Sequence, residues 1–355
     1  MAIANKNRIC QLKLMECSVK SKKSKVAYGL LALAGFTTVL SAIQRRGEVA
    51  ASKPHQLGAA DDVLVLGSGG VLGVAWHLAT LTRLKAAGQW DDKRDHLRIG
   101  TSAGSVVAML LGSGIELEAL LALAAGSGGL LNGEFVKIPE LPTNGAGKGG
   151  RSDAWYVARA ISRMHVPYFG VILTSLVPKG DARLRELSDF IDSVSKGSWP
   201  EVPTWVTATE LKSGKRHVFS SASGDTPGFA VAASCAVPAL YKPLSSNEGV
   251  FVDGGVISSL HLDLAIEFGV KRITVLAPIS GFMVPKWGDS FGVLLRKLLG
   301  NVQEFSLIKG RIKAKLNGID LVIVRPRPAE SALMGIGSLM DSSLVPELIR
   351  VTLAE

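Results

Sequence analysis

The sequence predicts an α/β protein: a mostly parallel central sheet with helices on both faces. Three observations point there. Short apolar runs at Val63-Leu64-Val65-Leu66, Leu97 to Ile99, Thr204 to Thr209, Arg272 to Leu276 and Asp320 to Val324 read as strands buried on both faces. Helical stretches alternate with them, as a parallel sheet requires. The first two strands run straight into helices through glycine-rich corners, Gly67 to Gly73 and Gly100 to Gly104.

Taken in order, the chain opens with a basic tail. Residues 1–25 carry seven Lys/Arg against Glu16 alone, which is +6 of the formal +10 on the 355-residue chain. The remainder is only mildly basic, so the overall charge gives no case for nucleic acid. A tail of this kind fits a solvated segment or attraction to anionic lipid. Residues 26–43 are an uncharged, mostly apolar run of 18 residues between Lys22/Lys23/Lys25 and Arg45/Arg46. That length just spans a bilayer. A membrane anchor and a soluble helix rich in Ala, Gly and Thr both remain open. A cleaved signal peptide is disfavoured by the long n-region and by the two arginines after the run. The protein is therefore expected either at a membrane through this segment or in the cytoplasm. Residues 44–61 read as a linker.

The folded domain is expected over 62–326. Its first strand, Val63 to Leu66, leads through Gly67-Ser68-Gly69-Gly70-Val71-Leu72-Gly73 into a helix ending near Ala87. A dinucleotide fingerprint fails here on glycine spacing, and a phosphate loop fails for want of Gly-Lys-Ser/Thr. Glycine exposes bare backbone N–H groups instead. The second strand leads through Gly100-Thr101-Ser102-Ala103-Gly104 into Val106 to Leu111. In a strand-turn-helix corner Gly-x-Ser-x-Gly lifts the serine hydroxyl out of the sheet, at a helix N-terminus that favours developing negative charge. A Gly/Ser turn without chemistry has the same local sequence.

Glu116 to Ala125 reads as a helix. The glycine-rich stretch 126–152 reads as a lid, binding loop or disorder. Helices follow at Trp155 to Met164 and Asp181 to Ser195, then a hairpin around Glu210 to Lys215, and a small-residue helix at Ala230 to Ala236 halted by Pro238. Gly249 to Val252 is a strand ending in Asp253-Gly254-Gly255. Ligand sites of parallel α/β sheets lie at such strand ends; a turn-capping aspartate is the plainer reading. Leu262 to Phe268 is a helix. Ser290 to Lys315 is a basic amphipathic helix or pair, packing on the sheet or lying on a membrane surface. Residues 327–355 read as a helical C-terminal extension. The cysteines, Cys10, Cys17 and Cys235, form neither a disulfide framework nor a zinc spacing, which suits a reducing compartment.

Three ordered motifs, over about residues 62–280, resemble the patatin-like phospholipases: the Gly-rich loop Ser68 to Gly73, the elbow Gly100 to Gly104, and Asp253-Gly254-Gly255. The strings Ala208-Thr209-Glu210-Leu211 and Ala233-Ser234-Cys235-Ala236-Val237-Pro238 agree. The resemblance implies a three-layer patatin-like fold and a serine acyl hydrolase acting on phospholipids or other lipid esters. It implies Ser102 as nucleophile, Asp253 as its base, and an oxyanion hole from the N–H groups of Gly69, Gly70 and Ala103. The motif glycines are Gly73, Gly100, Gly104, Gly254 and Gly255. It implies no cofactor and no metal, a lipid ester as partner, and a membrane surface as the place of work. Two departures stand out. The family loop usually opens with glycine and carries Arg or Lys before its last glycine; this chain has Ser68 and Leu72. His261 follows Leu260 where the family commonly has a small residue or Asn, then Pro, and it is either a bystander or the base of a triad. A catalytically silent lipid-binding protein, and a general carboxylesterase or thioesterase, remain alternatives.

Overall fold

A computed structural model describes residues 62–91, 93, 97–126, 129–131, 134–136, 138–142, 180–268, 270–279, 304, 307–335 and 338–354. These belong to the unit Ala50–Glu355. The basic tail, the apolar run 26–43, the linker, the helix expected at Trp155 to Met164, much of 126–152 and most of 290–306 lie outside the described residues. Among the described residues no helix is long and apolar enough to cross a membrane.

In chain order the elements are β1 (Asp62–Leu66), α1 (Gly70–Ala86), β2 (Leu97–Thr101), α2 (Ala103–Gly112), α3 (Leu117–Ala124), β3 (Gly129–Leu131), β4 (Glu134–Val136), α4 (Arg185–Ser195), β5 (Thr204–Glu210), β6 (Lys215–Phe219), α5 (Pro227–Ser234), β7 (Leu244–Ser246), β8 (Gly249–Asp253), α6 (Leu262–Glu267) and β9 (Arg272–Leu276). Residues 307–316 form α7; β10 (Asp320–Val324), α8 (Pro328–Leu333) and α9 (Val345–Leu353) follow.

The main sheet runs β10-β9-β1-β2-β5 with every pair parallel, and is extended by antiparallel β6, β8 and β7. The mostly parallel α/β architecture expected from the apolar strands is present. Each central strand serves two cores, because successive side chains point to opposite faces. Leu64 and Leu66 of β1 pack with α1, α2 and α5 on one side. Val63 and Val65 pack with α6 and α7 on the other. Helix α1 is buried nearly all round, including Leu72, Trp76 and His77, as expected of a helix between the sheet and further helices.

Some boundaries differ from the sequence reading. Helix α5 starts at Pro227 rather than Ala230, because Thr226 accepts a hydrogen bond from the Phe229 N–H and Pro227 occupies the first turn. A two-stranded hairpin, β3–β4, lies within the stretch read as loop. On α7, Leu307, Gly310 and Ala314 are buried. Ile308, Ile312 and Leu316, spaced i, i+4 and i+8, are 40%, 58% and 81% exposed.

Candidate active site

The site is built by strand register. One edge of β5 is occupied by β6, which pairs with Val206 to Glu210. The other edge is shared. Parallel β2 covers it up to Thr101, opposite Thr207. Antiparallel β8 covers it from the opposite direction, ending with Asp253 opposite Ala208. The carboxyl ends of two strands thus meet head-on beside consecutive residues of β5, about 3.4 Å apart along the strand. Ser102 and Asp253, 151 positions apart in the chain, are brought together there.

Ser102 sits at φ 52° and ψ −121°, a left-handed conformation that costs a non-glycine residue about 1–3 kcal/mol. Tight packing imposes it. A Cβ on Gly100 would stand 2.5 Å from Ser105 Cα, and one on Gly104 would stand 2.1 Å from the Leu66 carbonyl oxygen. Only glycine at both positions lets α2 turn back this sharply onto β1 and β2. The Ser102 N–H donates to Ser234 Oγ at 2.8 Å, and Ser234 Oγ–H donates to the Thr207 carbonyl at 2.7 Å. The Ser102 carbonyl accepts from the Ser105 hydroxyl at 2.7 Å. Ser234 therefore locks the corner from α5. Sequence reasoning gave it no role, since a serine in an apolar small-residue helix has no distinguishing spacing.

Asp253 is 5% exposed. Burial raises its pKa from 3.8 to about 6; hydrogen bonds from the Ser102 side chain and the Gly255 N–H pull the other way. The Gly255 N–H reaches Asp253 Oδ1 at 2.6 Å. The backbone is pinned as well: the Asp253 carbonyl accepts from Thr209 Oγ1 at 3.0 Å, and its N–H donates to the Ala236 carbonyl. Cys235 lies close by, 4.0 Å from Ser105 Oγ. Burial, then the Asp253 charge, pushes its thiol far up, so it is held as the uncharged thiol.

The Gly-rich loop closes the site from β1. Gly69 caps α1 and Gly70 opens it, so neither N–H has an intrahelical acceptor. Ala103, first in α2, stands in the same position. The loop presses on the serine corner: a Cβ on Gly73 would lie 3.1 Å from Ala103 Cβ. From the far side, the Leu72 N–H donates to the Leu339 carbonyl at 3.1 Å. Gly70, at φ +62°, has room for no Cβ, which would stand 2.7 Å from Leu339 O and 3.0 Å from Met340 Sδ. This C-terminal contact had no signal in the sequence.

Three histidines are described. His261 is fully buried, and its ring lies between the Gly254 carbonyl, 3.2 Å from Nε2, and Arg216 Nη1, 3.3 Å from Nδ1. The arginine donates to Nδ1, so Nε2–H donates to Gly254 O. Burial and Arg216 lower its pKa to about 3. The imidazole braces the backbone next to Asp253, on the Gly254 carbonyl. His77, its pKa lowered to about 4 by burial, donates to the Gly67 carbonyl at 2.8 Å. His217 faces Glu248 at 3.2 Å.

Fold and site together define an α/β protein in which one strained serine meets one buried carboxyl beneath a glycine-rich loop. A family profile described as patatin-like phospholipase matches residues 64–266, more than half of the chain, and the chain belongs to that family of lipid acyl hydrolases. No curated protein sequence matches the chain. Among solved structures, VipD from Legionella pneumophila is 13% identical at a TM-score of 0.39, with 83% of this chain and 67% of VipD covered. The type III effector protein ExoU is 16% identical at a TM-score of 0.32, with 74% of this chain and 54% of ExoU covered. This chain therefore spans about half the length of ExoU.

Proposed function

We propose that the protein hydrolyses ester bonds of phospholipids or related lipids through a Ser102–Asp253 dyad. The observation that carries the reading is the register that ends β2 and β8 beside consecutive residues of β5, which sets Ser102 next to the buried Asp253 carboxyl. A serine hydroxyl needs a base to take its proton. Here Ser102 Oγ attacks the ester carbonyl as Asp253 takes the proton. The N–H groups of Gly69, Gly70 and Ala103 receive the developing oxyanion. Collapse of the tetrahedral species expels the alcohol, which leaves with the proton from Asp253. Water then attacks the acyl-enzyme by the same route in reverse. Loss of one oxyanion donor costs about 100- to 1,000-fold in rate.

The substrate is met at an anionic lipid surface. What supports this is α7, whose outer face sets Ile308, Ile312 and Leu316 among Arg311, Lys313 and Lys315. Apolar insertion flanked by cations fits such a surface.

A fluorophosphonate probe followed by peptide mass mapping tests the nucleophile. Labelling is expected at Ser102 and lost in Ser102→Ala and Asp253→Asn. A folded protein that is never labelled points instead to a silent lipid-binding protein. Hydrolysis confined to soluble short esters, with none on vesicles, points to a general carboxylesterase.

A further inference from the structure

Ser68 opens the loop where the family usually has glycine, so its hydroxyl is not needed to build the turn. Its backbone is already fixed, with the Ser68 N–H donating to the Ser259 carbonyl at 3.0 Å. Its Oγ is buried and, among the described residues, has no protein hydrogen-bond partner. A buried hydroxyl of this kind calls for a ligand or a water. Gly255 indicates which. A Cβ built there would lie 2.9 Å from Ser68 Oγ and 2.9 Å from Asp253 Oδ1. The two oxygens are therefore no further apart than two such lengths laid end to end, a separation that one water can bridge, and they do not bond each other. A side chain at position 255 would press on both oxygens. The Gly255 N–H, 2.6 Å from Asp253 Oδ1, fixes that oxygen in place.

Resting on the acyl-enzyme route above, we propose that Ser68 Oγ and Asp253 together seat the water that hydrolyses the acyl-enzyme. Once Ser102 is acylated it no longer donates to Asp253, and the carboxylate is open to a new donor. The water gives one hydrogen to Asp253 Oδ1 and the other to Ser68 Oγ, which leaves its lone pairs for the acyl carbon. The new C–O bond forms as Asp253 takes the first proton. The tetrahedral species then breaks its bond to Ser102 Oγ, which recovers that proton from Asp253 as the carboxylic acid leaves. Ser68 thereby distinguishes water from an alcohol, which has only one hydrogen to give and offers Ser68 none.

The test is a partition experiment. The full chain is turned over on 4-nitrophenyl butyrate in buffer containing methanol, and butyric acid and methyl butyrate are quantified. Ser68→Gly, the family residue, is expected to lower the acid-to-methyl-ester ratio about fivefold, the weight of one hydrogen bond. It should also raise the acyl-enzyme found by intact mass. Ser68→Thr, which keeps the hydroxyl, should hold the wild-type ratio. An unchanged ratio in Ser68→Gly, or an equal fall in Ser68→Thr, overturns the proposal while the dyad stands. A wild-type chain that forms no acyl-enzyme at Ser102 removes the dyad and this inference together.

Discussion

Burial holds the Asp253 carboxyl at a pKa of about 6, and two consequences follow for the enzyme. In the proposed role of base it must be ionised, so kcat/KM on a short ester should rise with pH on a limb centred near 6; a limb near 4 would place the base elsewhere. As a buried acid it destabilises the fold once charged. Its folded pKa lies above the ordinary 3.8, so its contribution to stability is full below 3.8 and lost as pH rises through about 6. Asp253→Asn should therefore be inactive yet raise the thermal midpoint at pH 7, by an amount corresponding to about 2–3 kcal/mol. His261→Ala gives the opposite pattern. It strips a partner from the Gly254 carbonyl and from Arg216, with a stability loss of about 1–3 kcal/mol in denaturant titration. Ester hydrolysis by the folded fraction should largely survive. The corners that carry Ser102 and Asp253 were legible in the sequence because glycines at fixed offsets mark them. Ser234 was not, because it acts through a contact made 132 positions away.

At the level of elements, the Gly-rich loop is held between α2 and the segment before α9. Gly104→Ala forces a methyl group against the Leu66 carbonyl, which separates α2 from β1 and should abolish activity with a large fall in Tm. Gly70→Ala forces a β-carbon against Leu339 and Met340 at a positive φ, and should slow turnover with a smaller loss of stability. The C-terminal helices are held by Arg327. Its guanidinium bonds Glu330 and the carbonyls of Val351, Thr352 and Ala354, while Glu330, fully buried, also accepts from Trp76 of α1. Arg327→Ala should cost about 3 kcal/mol by leaving the buried Glu330 without its cation, measured as the shift in unfolding midpoint. Strands β1, β2, β5, β9 and β10 were readable as apolar runs. The β3–β4 hairpin was not, since a glycine-rich stretch gives no alternation to follow. The seat of Leu339 on the loop was also hidden, because a carbonyl acceptor carries no side-chain signature.

For the whole molecule, the two-sided core keeps His77 and His261 uncharged at pKa values near 4 and 3. Unfolding frees both to bind protons near pH 6.5, so stability from these groups is full above 6.5 and falls as pH drops toward 4. Chemical denaturation should show a midpoint declining over that window, with a shallower decline in His261→Gln. The apolar stripe of α7 makes a separate prediction. Replacing Ile312 and Leu316 by Ser should weaken co-sedimentation with anionic vesicles and slow hydrolysis of vesicle phospholipid, while soluble-ester turnover is kept. The order of strands in the sheet was beyond the sequence, which spaces apolar runs along the chain but does not rank them in space.

The head-on meeting of β2 and β8 along β5 has a bearing on how the molecule tolerates change. The reach from Ser102 to Asp253 is set by two adjacent peptide units of a third strand. The turn at residues 113–116, between α2 and α3, lies outside that register and is free to lengthen without retuning the chemistry. A single-residue deletion within β5 would slide its two guests out of alignment and silence the enzyme.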